Sequence, residues 1–116
     1  MIEGFATPEG TTNFARKSLA HSENFRKIHD LTFSNVGIGT YLGNTDLETD
    51  TQQKNAIKQS ILHGVNVIDT AINYRAQKSE RTVGKAVSEL IEEGKINRSE
   101  IFVSTKNGYV TNDADI

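Results

Sequence analysis

Residues 65–70 read VNVIDT, a nearly continuous apolar run that closes on a carboxylate. No other stretch limits the fold so sharply. A strand that faces water on one side alternates apolar and polar residues. One that stays apolar throughout is covered on both faces, as in parallel sheets layered with helices. Two further stretches read as its neighbours. NVGIGTYL (35–42) mixes β-branched residues with glycine and runs into a loop, and IFVSTK (101–106) ends on Lys106.

Helical patterns separate the three. In TQQKNAIKQSILHG (51–64), Ala56, Ile57, Ser60, Ile61 and Gly64 keep to one face at helical spacing. Asp50 is placed to cap this helix, with Gln53 three residues on, and Gly64 stands where a left-handed residue ends one. His63 in the last turn suits the negative end of the helix dipole. In SERTVGKAVSELIEEG (79–94), Val83, Ala86, Val87, Leu90 and Ile91 recur at amphipathic spacing, and Gly94 ends the run. Strand, helix, strand, helix, strand predicts right-handed βαβ units and a parallel sheet.

Strand positions recur after 29 residues, from Asn35 to Gly64, and then after about 36, and eight units at that spacing need roughly 260 residues, the usual size of a (β/α)8 barrel. Beyond the first 30 residues the chain holds about two and a half such units. The expected fold is therefore α/β, the N-terminal βαβαβ part of a (β/α)8 TIM barrel, truncated, over residues 31–116. Residues 1–30 are polar, carry the only proline, Pro8, and show no clear periodicity. They read as an N-terminal arm lying on the surface of the α/β portion, over the N-terminal mouth of the barrel or disordered. LTFS (31–34) reads as part of a small terminal hairpin.

Composition removes several classes of function. With 13 basic and 15 acidic side chains the charge is nearly balanced, which argues against a nucleic-acid surface or a polybasic membrane surface. The absence of cysteine excludes disulfides and thiolate metal sites, and no metal is expected. No apolar run reaches membrane-spanning length, and MIEGFATPEG lacks the features of a signal peptide. The default expectation is a soluble cytoplasmic protein.

Ligands of parallel α/β folds bind at the C-terminal ends of the strands. Gly39, Thr40 and Tyr41 end the first strand, Asp69 the second with Tyr74 in the loop beyond it, and Lys106 the third. Side chains alternate with period two, so Val65, Val67 and Asp69 share a face, as do Phe102, Ser104 and Lys106. Adjacent parallel strands can then turn Asp69 and Lys106 to the same interior, where an ammonium neutralises the carboxylate. A cation beside a phenol favours its ionised form and makes it a better proton donor. Such a donor, here Tyr74, can protonate an oxygen while hydride reaches the attached carbon. The hydride must come from a cofactor. Each residue alone has a plainer reading: Asp69 a turn cap, Tyr74 a packed aromatic, Lys106 a solvated strand end. Their joint placement in one βαβαβ frame favours chemistry. GIGTYLG matches a dinucleotide fingerprint only partly, because Leu42 stands in the third glycine position. Ser79 and Glu80 read as cap and first-turn acid, Arg75 as solvated surface ahead of a local pair with Glu80 or a reach to ligand, and Asn107 and Gly108 as shaping the loop.

Together, VGIGTY, GVNVIDTAINYRAQKSERTVGKAV and IFVSTKNG resemble the aldo-keto reductase family over residues 31 to 108. Gly64, Asn66, Asp69, Thr70, Ala71, Tyr74, Ser79, Glu80, Gly84 and Ala86 match its motif in order and spacing. The resemblance implies a (β/α)8 barrel that reduces aldehydes or ketones with NADPH, or catalyses the reverse. Tyr74 matches the general acid, Lys106 and Asp69 the pair that tunes it. Gly39, Thr40 and Tyr41, with Asp69, match the positions that touch the nicotinamide and its ribose. The family's catalytic histidine comes after strand four, beyond the three strands read here; His21, His29 and His63 lie in the arm and at a helix end and cannot take its place. The cofactor's phosphate and adenine contacts belong to later loops of the family's barrel. The implied partner is a small aldehyde or ketone, with room for a homo-oligomer in the full-length protein. Two other classes compete: a non-catalytic regulatory or binding subunit on the same barrel, which has less need of all three residues, and a free-standing nucleotide-binding βαβαβ module, which would leave open sheet edges.

Overall fold

The structure, a computed structural model, describes residues 2–18, 22–112 and 114. His21 lies outside the described residues. In chain order the elements are α1 (Pro8–Lys17), β1 (Phe25–Ile28), β2 (Leu31–Ser34), β3 (Ile38–Gly39), α2 (Leu47–Leu62), β4 (Val67–Asp69), α3 (Lys78–Glu92) and β5 (Phe102–Ser104). Single 3-10 turns lie at Ser22–Asn24 and Arg98–Glu100. Among the described residues no helix is long and apolar enough to cross a membrane.

β3, β4 and β5 form a parallel sheet in that order, with Gly39 opposite Asp69 and Asp69 opposite Ser104. The expected alternation of strands and helices is thus present, mixed α/β with α2 and α3 each crossing between parallel strands. Ile38, Ile68 and Val103 occupy matching register positions and turn to the helices, where Ile68 is fully buried. There they meet Ile57 and Ile61 of α2 and Val83, Ala86, Val87 and Leu90 of α3 in one core. α2 and α3 are also joined across their surface by Lys54 to Glu89, at 3.1 Å, and Lys58 to Glu93, at 2.9 Å. The opposite sheet face is less well covered. Val65, Val67 and Phe102 on it are only half-buried. Three strands cannot close on themselves, so this face has no facing wall among the described residues.

Both helices end as the glycines suggested. Gly64, at φ +102°, and Gly94, at φ +70°, take the left-handed conformation past the last turn. Their N–H groups donate to Ile61 O and Ile91 O, and those of Val65 and Lys95 reach back to Ser60 O and Leu90 O. This Schellman pattern satisfies carbonyls that the helix leaves open. The start of α2 corrects the expectation. Asp46, not Asp50, is the cap, and its carboxylate accepts the Thr49 N–H at 2.8 Å. That bond holds the Asp46 carboxyl below its usual value.

The N-terminal residues carry more structure than their lack of periodicity indicated. Thr7 caps α1 by accepting the Gly10 N–H at 2.9 Å, and Pro8 takes the first helical position, where its missing N–H costs nothing. Phe14 is 3 % exposed and belongs to the core. Lys17 reaches the fully buried Glu100, with Nζ 2.8 Å from Oε1 and 2.7 Å from Oε2. β1 and β2 form an antiparallel hairpin that includes LTFS, turned by His29 and Asp30, both left-handed. Asn66, just before β4, fastens it. Asn66 Oδ1 accepts the Ser34 N–H at 2.8 Å, and Nδ2 donates to Thr32 O and Glu100 O. Phe33 meets Phe102 with ring centroids 5.0 Å apart. The hairpin therefore sits at the N-terminal end of the sheet and leaves the C-terminal end open.

Candidate active site

At that open end the loops are held mainly by backbone bonds. Thr40 is 1 % exposed; its N–H and hydroxyl both donate to Asp69 O, at 3.1 and 3.0 Å. Thr70 N–H donates to Ser104 O at 2.8 Å and Ile72 N–H to Lys106 O at 3.0 Å. These ties extend the ladder past the strands and aim the side chains of alternate residues.

The result brings Asp69, Tyr74 and Lys106 together. Lys106 Nζ donates to Asp69 Oδ1 at 2.9 Å and to Thr70 O at 2.7 Å, and lies 4.8 Å from the centre of the Tyr74 ring. A cation this near an aromatic face is attracted by the ring quadrupole. The Asp69 carboxylate, through its hydrogen bond, holds the Lys106 ammonium above its ordinary value of 10.5; loss of hydration works against this, and Tyr74 adds to it. Tyr41 stands edge-on to Tyr74, with ring centroids 5.1 Å apart. It is 64 % exposed.

The three residues of the first loop do not stand alike. Gly39 is exposed, and a methyl group added there would meet no neighbouring atom within 4 Å. Tyr41 is open to solvent. Thr40 instead has its hydroxyl occupied by Asp69 O, while its own carbonyl accepts from Ser79 Oγ at 2.6 Å and Gln53 Nε2 at 3.2 Å. It joins elements rather than presenting a group outward.

Two of the plainer readings are overturned. Ser79 does not cap α3: it is fully buried within the helix and donates to Thr40 O, and Gln77 takes the cap position. Arg75 is not solvated surface. It is 6 % exposed and reaches three groups of the preceding unit: Nε donates to Asn44 O at 2.7 Å, Nη1 to Gln53 Oε1 at 3.0 Å, and Nη2 to Asp50 Oδ1. Arg75, Ala76 and Gln77 are all left-handed, at φ +50°, +55° and +69°. For residues with a Cβ this costs roughly 1–2 kcal/mol each, so the segment persists only because its surroundings hold it. No motif in the sequence marks Arg75, Gln53 or Asn44 as site residues. Placing the cap at Asp46 frees Asp50 to seek a cation, and that is the one signal that points to this cluster. Glu80 accepts from Thr105 Oγ1 at 2.6 Å and Gln77 Nε2 at 3.1 Å, a structural role.

Comparisons with known proteins agree with the motif. The family model described as Aldo/keto reductase family matches residues 35–115. An uncharacterized oxidoreductase, YtbE, of Bacillus subtilis (strain 168) is 38% identical over 65 residues, covering 56% of this chain and 22% of that protein. Aldose reductase C of Dictyostelium discoideum is 28% identical over 94 residues, covering 81% of this chain and 27% of that protein. The chain thus spans about a quarter of the length of these relatives. Because the family model takes in well over half of its residues, the chain belongs to the aldo/keto reductase family.

Proposed function

We propose that these residues form the proton-donating part of an NAD(P)H-dependent oxidoreductase that reduces aldehydes or ketones to alcohols, on a complete (β/α)8 barrel. The observation that carries this is Lys106 Nζ, which touches Asp69 and the Tyr74 ring at once at the open end of a parallel sheet. In this reading Tyr74 Oη lends its proton to the carbonyl oxygen as that oxygen gains charge. Lys106 stabilises the phenolate left behind, and Asp69 keeps Lys106 charged and aimed. General acid catalysis of this kind contributes about 10²–10⁴-fold.

The residues suit a nicotinamide, with NADPH the expected form. Open space at Gly39 lets a flat ring approach the backbone, Tyr41 offers an aromatic edge, and Asp69 offers carboxylate oxygens to hydroxyl groups. The bound cofactor supplies the hydride. Thr40 shapes the ledge by fixing Gly39 and Tyr41 to the end of β4. The test is steady-state turnover of the full-length protein with NADPH and a panel of small aldehydes and ketones. Aldehyde-dependent NADPH oxidation is expected; no turnover with any of them would set the reading aside.

A further inference from the structure

Tyr74 is half-buried, and its described ring contacts, Tyr41 and Lys106, are both largely exposed. Exposed neighbours do not fix a ring. Its backbone, however, runs straight into the left-handed segment Arg75–Ala76–Gln77, and Arg75 is anchored across the site. We propose that Arg75 is a positioning residue: it clamps the loop bearing Tyr41 to the loop bearing Tyr74 and so sets where the Tyr74 hydroxyl stands. This rests on the oxidoreductase reading for its effect on catalysis.

The clamp has several independent parts. The Arg75 side chain is 1 % exposed, and its fork spans Asn44 O in the first loop and Asp50 and Gln53 in the first two turns of α2. Gln53 passes the contact on, since its Nε2 donates to Thr40 O, next to Tyr41. The first loop also closes on the Arg75 stem. A Cβ at Gly43, which is at φ +123°, would stand 2.7 Å from Thr49 Cγ2 and 3.7 Å from Arg75 Cδ and Nε. Lysine at 75 can pair with Asp50 but cannot fork to three acceptors. Gln77 is tied to Glu80 and Arg81 at the far end of the segment, so losing the fork frees its Arg75 end, and relaxation there turns the adjoining Tyr74.

The experiment uses the full-length protein with Arg75→Lys, Arg75→Met and Gln53→Leu, measuring kcat, KM, the NADPH dissociation constant and the melting temperature. A displacement of about 1 Å costs on the order of 10²-fold in rate. Arg75→Lys is expected to lose roughly that much in kcat, with NADPH affinity and melting temperature close to wild type. Gln53→Leu, which cuts the link to Thr40, should lose kcat in the same direction. If Arg75→Met does not fold, these two variants carry the test. Unchanged kcat in both overturns the proposal, as does a kcat that falls only in step with melting temperature and returns in Arg75→Lys. Should wild-type protein itself reduce no carbonyl, the oxidoreductase reading fails separately. The clamp is then judged on NMR signals of the Tyr41 and Tyr74 rings: shifted by Arg75→Lys they uphold it, unmoved they overturn it.

Discussion

Lys106 Nζ lies 2.9 Å from Asp69 Oδ1, joining the ends of two neighbouring parallel strands across 37 residues of sequence. Both side chains are 48% exposed. An ion pair so open to water adds little to stability, because hydration and salt screen it. Its placement beside Tyr74 is the one that the proposed proton-donor role requires.

The pair makes a prediction about pH. Asp69's hydrogen bond raises the folded-state value of Lys106 above 10.5. A cation raised in this way contributes its stabilisation fully below the unfolded value and loses it as pH climbs through the higher folded value. The Lys106 contribution to the pair is therefore present at neutral pH and is lost in strong alkali. An NMR titration of the Lys106 side chain should give a midpoint above 10.5, and Asp69→Asn should lower it. A midpoint indifferent to Asp69→Asn would place the cause elsewhere.

Tyr74→Phe removes one oxygen and keeps the ring that packs on Tyr41 and Lys106. In the full-length protein, carbonyl reduction should fall by about 10²–10⁴-fold. NADPH affinity should stay within a few-fold of wild type, since the ring still fills its place. Full turnover in this variant would remove Tyr74 from the proton-donor role.

Asn66 is fully buried and holds the hairpin to the sheet with bonds to Ser34, Thr32 and Glu100. Asn66→Leu strands the buried Ser34 N–H and Glu100 carbonyl, each worth about 1–3 kcal/mol when left unpaired, and the half-buried Thr32 carbonyl besides. A loss of at least about 2 kcal/mol is expected in urea unfolding of the full-length protein, with the slope of the transition unchanged. An unmoved midpoint would mean that the hairpin is fastened by other contacts.

How far these features could be read from sequence depends on the range of the interactions behind them. β4, β5 and α3 were legible because burial writes a period into the chain, and Val83, Ala86, Val87 and Leu90 are all buried as that period requires. The joint placement of Asp69 and Lys106 came from strand parity. α1 was not legible. Its contact with the rest of the chain is made by closeness rather than by apolar bulk: a Cβ at Gly10 would lie 2.3 Å from Ser99 O. A helix that packs through glycine and threonine leaves only Phe14 as a hydrophobic mark. Arg75 was hidden for a different reason. Its acceptors, Asn44, Asp50 and Gln53, lie 22 to 31 residues upstream, and nothing local distinguishes a clamped guanidinium from a solvated one.

The open face of the sheet makes the last prediction. Helices cover the side that carries Ile38, Ile68 and Val103, whereas Val65, Val67 and Phe102 on the other side are half-buried, with Phe33 of the hairpin reaching Phe102. Completing the burial of a side chain of this kind contributes up to about 1.5–3 kcal/mol. Three such shortfalls are comparable with the whole stability of an ordinary domain, about 5–15 kcal/mol. A facing wall of further barrel strands would supply that burial, and would bring the rest of a cofactor site. Residues 1–116 expressed alone should therefore melt without a cooperative transition and should not quench NADPH fluorescence. A sharp melt together with micromolar NADPH binding would show that these residues are a domain in their own right, and that the open face is a working surface rather than half of an interior.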